Sequence, residues 1–195
     1  MTIKTMLAVV AAPAALLLAA PGALAQNGQD MSQSDAMTDD AMAAGPVAPK
    51  PAMTVKAEDF VKAAAHSGHF EIESSTLALE KTQDERVRDF AARMIDEHVR
   101  MNAKLKEITS MEVPGEPGPA QALVIAKLSD ASGADFETGY IKGQITGHEL
   151  TVAFFEAMAQ SDADPALVEY AQMGLPKIKE HLEEAKDIAR GLGVM

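Results

Sequence analysis

Three histidines, His98, His148 and His181, fall near the middle of three different predicted helices. His98 and His148 sit at the centre of their helix's apolar stripe, and His181 sits on its margin. An imidazole in apolar surroundings must hydrogen-bond, titrate or bind something. Helix rise places all three at a similar depth. His98 and Glu71 are about 15 and 11 residues from the first predicted helix junction, roughly 23 and 17 Å. His148 and His181 are about 14 and 18 residues from the second, roughly 21 and 27 Å. In a bundle of roughly 40 Å these positions share the middle third. Neutral imidazoles and a carboxylate are good ligands for one first-row transition metal, so Glu71, His98, His148 and His181 form the candidate metal set. Asn102 and Gln144 lie one turn from His98 and His148, where either side chain could orient its histidine's ring. The competing reading is that each imidazole satisfies a hydrogen bond of its own within the core.

The remaining chemistry-bearing residues form no constellation. His66 and His69 lie off the inner stripe, and His69 and Glu73 can pair across one turn on a solvated face. Ser67, Ser74 and Ser75 have no histidine–carboxylate partners that sequence can place, so no catalytic residue is assigned and the reading leans away from an enzyme. Tyr140 and Tyr170 read as core or rim residues. Gly139, Gly143 and Gly147 recur every four residues, which suits close helix packing; no phosphate-loop lysine pattern follows them.

The elements that must position these residues are helical throughout. Thr54 is expected to cap a first helix with Glu58 and Asp59 in its opening turn. Its inner stripe is Val61, Ala64, Ala65, Gly68, Ile72, Ser75 and Leu79, with Glu71 at the edge. After Lys81-Thr82-Gln83, a second helix carries Val87, Ala91, Met94, His98, Met101, Leu105 and Ile108. Prolines and glycines across 113–119 end it. A short helix from Ala120 to about Ser129 is expected inside the connection, then a third long helix from about Ala134 to Gln160. Asp164 caps a fourth that opens at Pro165, and Pro176 is expected to kink it. Two tight pairs and one long connection predict an all-α, four-helix bundle with a crossover that carries the short helix between helices 2 and 3. The expected organisation is a leader at 1–25, a disordered linker at 26–53, the bundle at 54–190 and a tail at 191–195.

The leader reads as an export signal: one early charge at Lys4, an apolar run from Met6 to Ala20, and cleavage after Ala25. A periplasmic protein follows, with no transmembrane segment in the mature chain. Removing Lys4 takes the net charge from −12 to −13, which argues against nucleic acid as a partner and leaves a metal cation or an envelope protein. The absence of cysteine removes disulfides, thiolate metal sites and lipid attachment. With no tryptophan and two tyrosines, a sugar-binding platform is not expected. Met31, Met37, Met42 and Met53 punctuate the linker; they are either soft Cu(I) ligands or tolerated residues of a tether.

The order Phe60-Val61, Glu71-Ile72, Leu77-Ala78, Phe90-Ala91, Met94-Ile95, His98 and Asn102, followed by Phe136, Tyr140, His148, Phe155, Pro176, His181 and Leu182, resembles the bacterial family known as domain of unknown function 4142. The resemblance covers about 58 to 190. It implies a ferritin-like bundle associated with the periplasm or outer membrane, and no particular reaction. The Glu-x-x-His pattern of di-iron ferritin-like proteins is missing, because Ile95, Ile145 and Ile178 stand three residues before the core histidines. Glu97, Glu149 and Glu180 adjoin the histidines in sequence but point about 100° away on a helix. Three function classes stay open: an exported binding or envelope-stress protein, a histidine-rich metal-binding bundle with a redox or storage role, and an acidic protein-interaction module.

Overall fold

In the computed structural model, which describes residues 54–195, five helices and no strands are present among the described residues. They are α1 (Ala57–Lys81), α2 (Glu85–Ile108), α3 (Pro119–Asp130), α4 (Gly133–Ala159) and α5 (Pro165–Leu192). The leader, the linker and its four methionines lie outside the described residues. No helix of the described region is long and apolar enough to cross a membrane.

Local chemistry sets the helix ends. Lys56, not Thr54, is the N-cap of α1, and no side chain caps it. Val55 just before the cap and Phe60 at the fourth helical position bury in one apolar cluster, the arrangement of a hydrophobic staple, and this fixes the entry in place of a hydroxyl. Asp84 caps α2 by accepting from the Arg86 and Val87 amides. Asp164 caps α5 through the Ala166 amide at 2.8 Å, with Pro165 opening the helix. Helical structure continues through Pro176 to Leu192, where Gly193 adopts the left-handed conformation (φ 68°) that ends it.

Each of the four long helices packs against two others: α1 on α2 and α4, α5 on α4 and α2. The short α3 rests on α1 and α4 and buries only Leu128. Lys81 at the end of α1 holds the end of α3 by donating to the Ser129 and Ala131 carbonyls at 2.5 and 3.0 Å. His66 donates from Nδ1 to the Glu116 carbonyl at 2.9 Å and so ties the connecting segment to α1.

The core has two apolar clusters. One gathers Phe60, Val61, Leu105, Phe155, Met158, Leu167, Tyr170 and Ile178. The other gathers Val87, Phe90, Met94, Phe136, Tyr140, Ile141, Ile188 and Ala189. Along every long helix a buried polar residue falls between the two: Glu71 and Ser74 on α1, His98 on α2, Gln144 and His148 on α4, His181 on α5. The two clusters clamp this polar layer from both ends.

Two glycines set the spacing near it. A methyl group at Gly174 would meet Phe155 Cε1 at 2.8 Å and Met101 Cε at 3.2 Å, and one at Gly68 would meet Asn102 Oδ1 at 2.2 Å. Phe155 is fully buried and cannot swing away. Gly174→Leu should therefore destabilise the domain by about 2 kcal/mol, despite its better helix propensity, as read by the urea midpoint.

Candidate metal centre

His98, His148 and His181 come together. They are 3, 1 and 1% exposed, and their ring centroids form a near-equilateral triangle with sides of 5.9, 5.6 and 5.5 Å. One nitrogen from each lies within 4.8 Å of the other two. A common point therefore exists no more than about 2.8 Å from all three. Metal–imidazole bonds are about 2.0–2.1 Å, so side-chain adjustments of less than about 1 Å would complete a three-nitrogen site.

Hydrogen bonding fixes the free nitrogen of His148 and of His181. A carbonyl can only accept, so His148 Nδ1 carries the proton and donates to the Gln144 carbonyl at 2.8 Å. His148 Nε2 is left with no partner. His181 Nε2 donates to Glu97 Oε2 at 3.2 Å, and His181 Nδ1 has no partner. His98 Nε2 is likewise buried without one. Each imidazole thus offers a lone pair that the protein does not satisfy. Such a group costs about 1–3 kcal/mol when left so.

Burial holds all three imidazoles in the neutral, ligating form. It depresses His98 well below the usual histidine range, with His148 and His181 adding repulsion. It takes His148 to about 4 against the pull of the Gln144 carbonyl. It lowers His181 although Glu97 acts the other way. Glu97 itself is pushed up by burial, but Lys177 and His181 more than offset this and hold it ionised. Lys177 Nζ donates to the same Glu97 oxygen at 3.1 Å.

Glu71 does not join the three-nitrogen group. It is 1% exposed rather than at a solvated edge, and its Oε1 lies 3.6 Å from His148 Nδ1, the protonated nitrogen. The α1 face that buries is broader than the predicted stripe, because α1 packs on α2, α3 and α4 at once. Glu71 is thereby set against the α4 backbone, where a methyl group at Gly147 would meet its Oε1 at 3.2 Å. Burial pushes its carboxyl up to about 8; the nearby Gln144 amide tempers the rise without a well-formed hydrogen bond, and both Glu71 oxygens lack partners.

Gln144 orients His148 through its backbone, not its amide, which donates to Ser74 Oγ at 3.1 Å. Asn102 makes no hydrogen bond to His98, because it packs against the bare Gly68 backbone and leaves its own Nδ2 without a partner. His69 is half-buried, with its Nε2 lacking a hydrogen-bond partner and Glu73 acting on it only through its charge.

Glu97 was missed because helix geometry sends it about 100° from His98. That same angle delivers it to the neighbouring helix, where it meets His181. The available signal was an acidic residue flanking the stripe of α2 opposite Lys177 and His181. The di-iron arrangement is not supported by the side chains present: Ile178 is buried in the cluster around Phe60 and Phe155, and Ile145 packs against the cluster around Phe90 and Phe136.

The sign of the pH dependence follows from these environments. In the unfolded chain the histidines protonate near pH 6.5; in the fold they do so only at lower pH. Their stability contribution is complete above about 6.5 and is lost as pH falls toward 4, with about 3 kcal/mol for His148 alone. Glu71 acts oppositely: the fold keeps its proton up to about 8 while the unfolded chain releases it near 4.5, so stability falls as pH rises through that window. Urea titrations in chelator should peak near pH 6.5, and Glu71→Gln should remove the decline on the alkaline side. A flat profile between pH 4.5 and 6.5 would show that the imidazoles are not buried.

No curated protein and no solved structure matches the chain. The model of the family described as "Domain of unknown function (DUF4142)" matches residues 42–188, and the chain belongs to that family.

Proposed function

We propose that this protein is an exported, periplasmic, ferritin-like four-helix bundle that binds one first-row transition metal ion per chain, held by His98, His148 and His181. The observation that carries the reading is the convergence of three buried, neutral imidazoles, each with one unpartnered nitrogen. The leader pattern at 1–25 supports export, and the two helix pairs with α3 between them support the bundle.

The ligand chemistry narrows the ion. Three neutral nitrogens and no thiolate suit Zn(II), Cu(II) or another borderline divalent ion over Ca(II) or Mg(II), which want oxygen. Two histidines have their outer nitrogen on a fixed acceptor, His148 on the Gln144 carbonyl and His181 on Glu97, the usual means of fixing ring orientation in metal sites. Glu71 beside His148 is a buried carboxyl whose ionisation a divalent cation would favour, balancing charge that three neutral ligands cannot. Three protein ligands leave a coordination position for water or a small molecule, the pattern of reactive rather than purely structural sites. One ion per chain suits sequestration or reactivity better than bulk storage.

The test is elemental analysis of untagged protein after exposure to each divalent ion and removal of excess. About one ion per chain is expected, lost in both His98→Ala and His148→Ala. At an ion concentration 100 times the dissociation constant, binding should stabilise the wild type by about 2.7 kcal/mol. In chelator, His98→Leu should be as stable as the wild type or more so, because it removes an unsatisfied polar group. With metal present that order should reverse. Binding of every ion at no more than the level of a triple-histidine variant would refute the reading.

A further inference from the structure

A second site lies apart from His98, His148 and His181, between α1, α3 and α4. It is a cavity of about 340 Å³, lined by Ser67, Phe70, Gly143, Gly147, Thr151 and Phe154 among others, with Gln121 of α3 also in its wall. That volume falls at the lower end of small-molecule sites, roughly 300–1,000 Å³.

Small residues keep it open, and packing does not explain all of them. A Cβ at Gly147 would crowd Glu71 Oε1 at 3.2 Å, and one at Gly139 would crowd Leu128 at 3.1 Å. At Gly143 a methyl group would meet only Phe70 and Val124, at ordinary contact distances of 3.5 and 3.8 Å. Glycine within a helix costs about 1 kcal/mol relative to alanine, yet nothing in the helix packing demands it at Gly143. What a side chain there would occupy is the cavity.

The polar wall has a defined sense. Thr151 Oγ1 donates to the Gly147 carbonyl at 2.8 Å, which uses its one proton. The 2.8 Å bond between Ser67 Oγ and Thr151 Oγ1 must then run from Ser67 to Thr151. Ser67 has spent its donor and keeps an acceptor lone pair. Ser67 and Thr151 are each 9% exposed, and no carboxylate, lysine or arginine lines the cavity; His66, which also lines it, has its Nδ1 proton on the Glu116 carbonyl, and Thr146 and Gln121 complete the polar lining. The occupant that fits is therefore uncharged, mostly apolar, and carries one hydrogen-bond donor. The rings of Phe70 and Phe154 favour an aromatic body.

We propose that this cavity binds a neutral aromatic alcohol, a phenol or fused-ring analogue, with its rings against Phe70 and Phe154 and its hydroxyl donating to Ser67 Oγ. The site does not depend on the metal reading, and its test needs no metal. The full chain is titrated with 2-naphthol and with 2-methoxynaphthalene, which has the same rings and no donor. Saturable binding is expected, with 2-naphthol favoured by about fivefold, the worth of one buried hydrogen bond. Gly143→Leu should abolish binding of both probes while leaving the thermal midpoint unchanged or raised. Should that variant not fold, Ala63→Leu fills the same cavity from α1. Ser67→Ala should keep binding but lose the preference for 2-naphthol. Absence of saturable binding, or full binding by a folded cavity-filling variant, overturns the proposal. An undiminished preference in Ser67→Ala overturns the assignment of the alcohol.

Discussion

The core of this protein is interrupted at mid-height by groups that do not belong in a core. Glu71, His98, Gln144, His148 and His181 are almost fully buried between two apolar clusters, and each keeps a polar atom without a protein partner. An apolar layer at this level would be more stable, since each unmet polar atom costs on the order of 1–3 kcal/mol. The clusters above and below offset that cost: fully buried Phe60, Phe155 and Leu167 at one end, Phe90, Phe136 and Tyr140 at the other. The layer is thus a local loss of stability held in place by packing on either side, which is how functional sites are generally maintained.

That constraint organises smaller features. Two of the three rings are locked from outside the triangle, His148 by a backbone carbonyl on α4 and His181 by a carboxylate that α2 reaches across to α5. Ser74 takes up the Gln144 amide, and Ser75 and Tyr140 pair at 2.8 Å, while both Glu71 oxygens, Gln144 Oε1 and one nitrogen of each imidazole stay without partners. In a hydrogen-bonded core network these members would instead bond to one another.

The glycines every four residues on α4 divide into separate roles. Gly139 admits Leu128 and Gly147 admits Glu71, while Gly143 leaves open space beside Phe70. One periodic signal in the sequence thus serves close packing at two positions and a cavity at the third. The spacing of small residues cannot distinguish these roles, because it reports which face is bare and not what approaches it.

Periodicity, caps and breakers made the helices legible from sequence alone, except for the cap of α1, which is Lys56 and not Thr54. Asp164-Pro165 opens α5, the prolines and glycines of 113–119 end α2, and the 3.6-residue spacing sets His98 and His148 on inner faces. The common depth of the histidines was legible too, because helix rise is constant. Tertiary structure decided which nitrogens meet, that Glu71 flanks the protonated side of His148, and that Glu97 serves a histidine on another helix. Those outcomes depend on how each helix is rotated and spaced against its neighbours. Contacts between side chains distant in sequence set that rotation and spacing, and no window along one helix contains them.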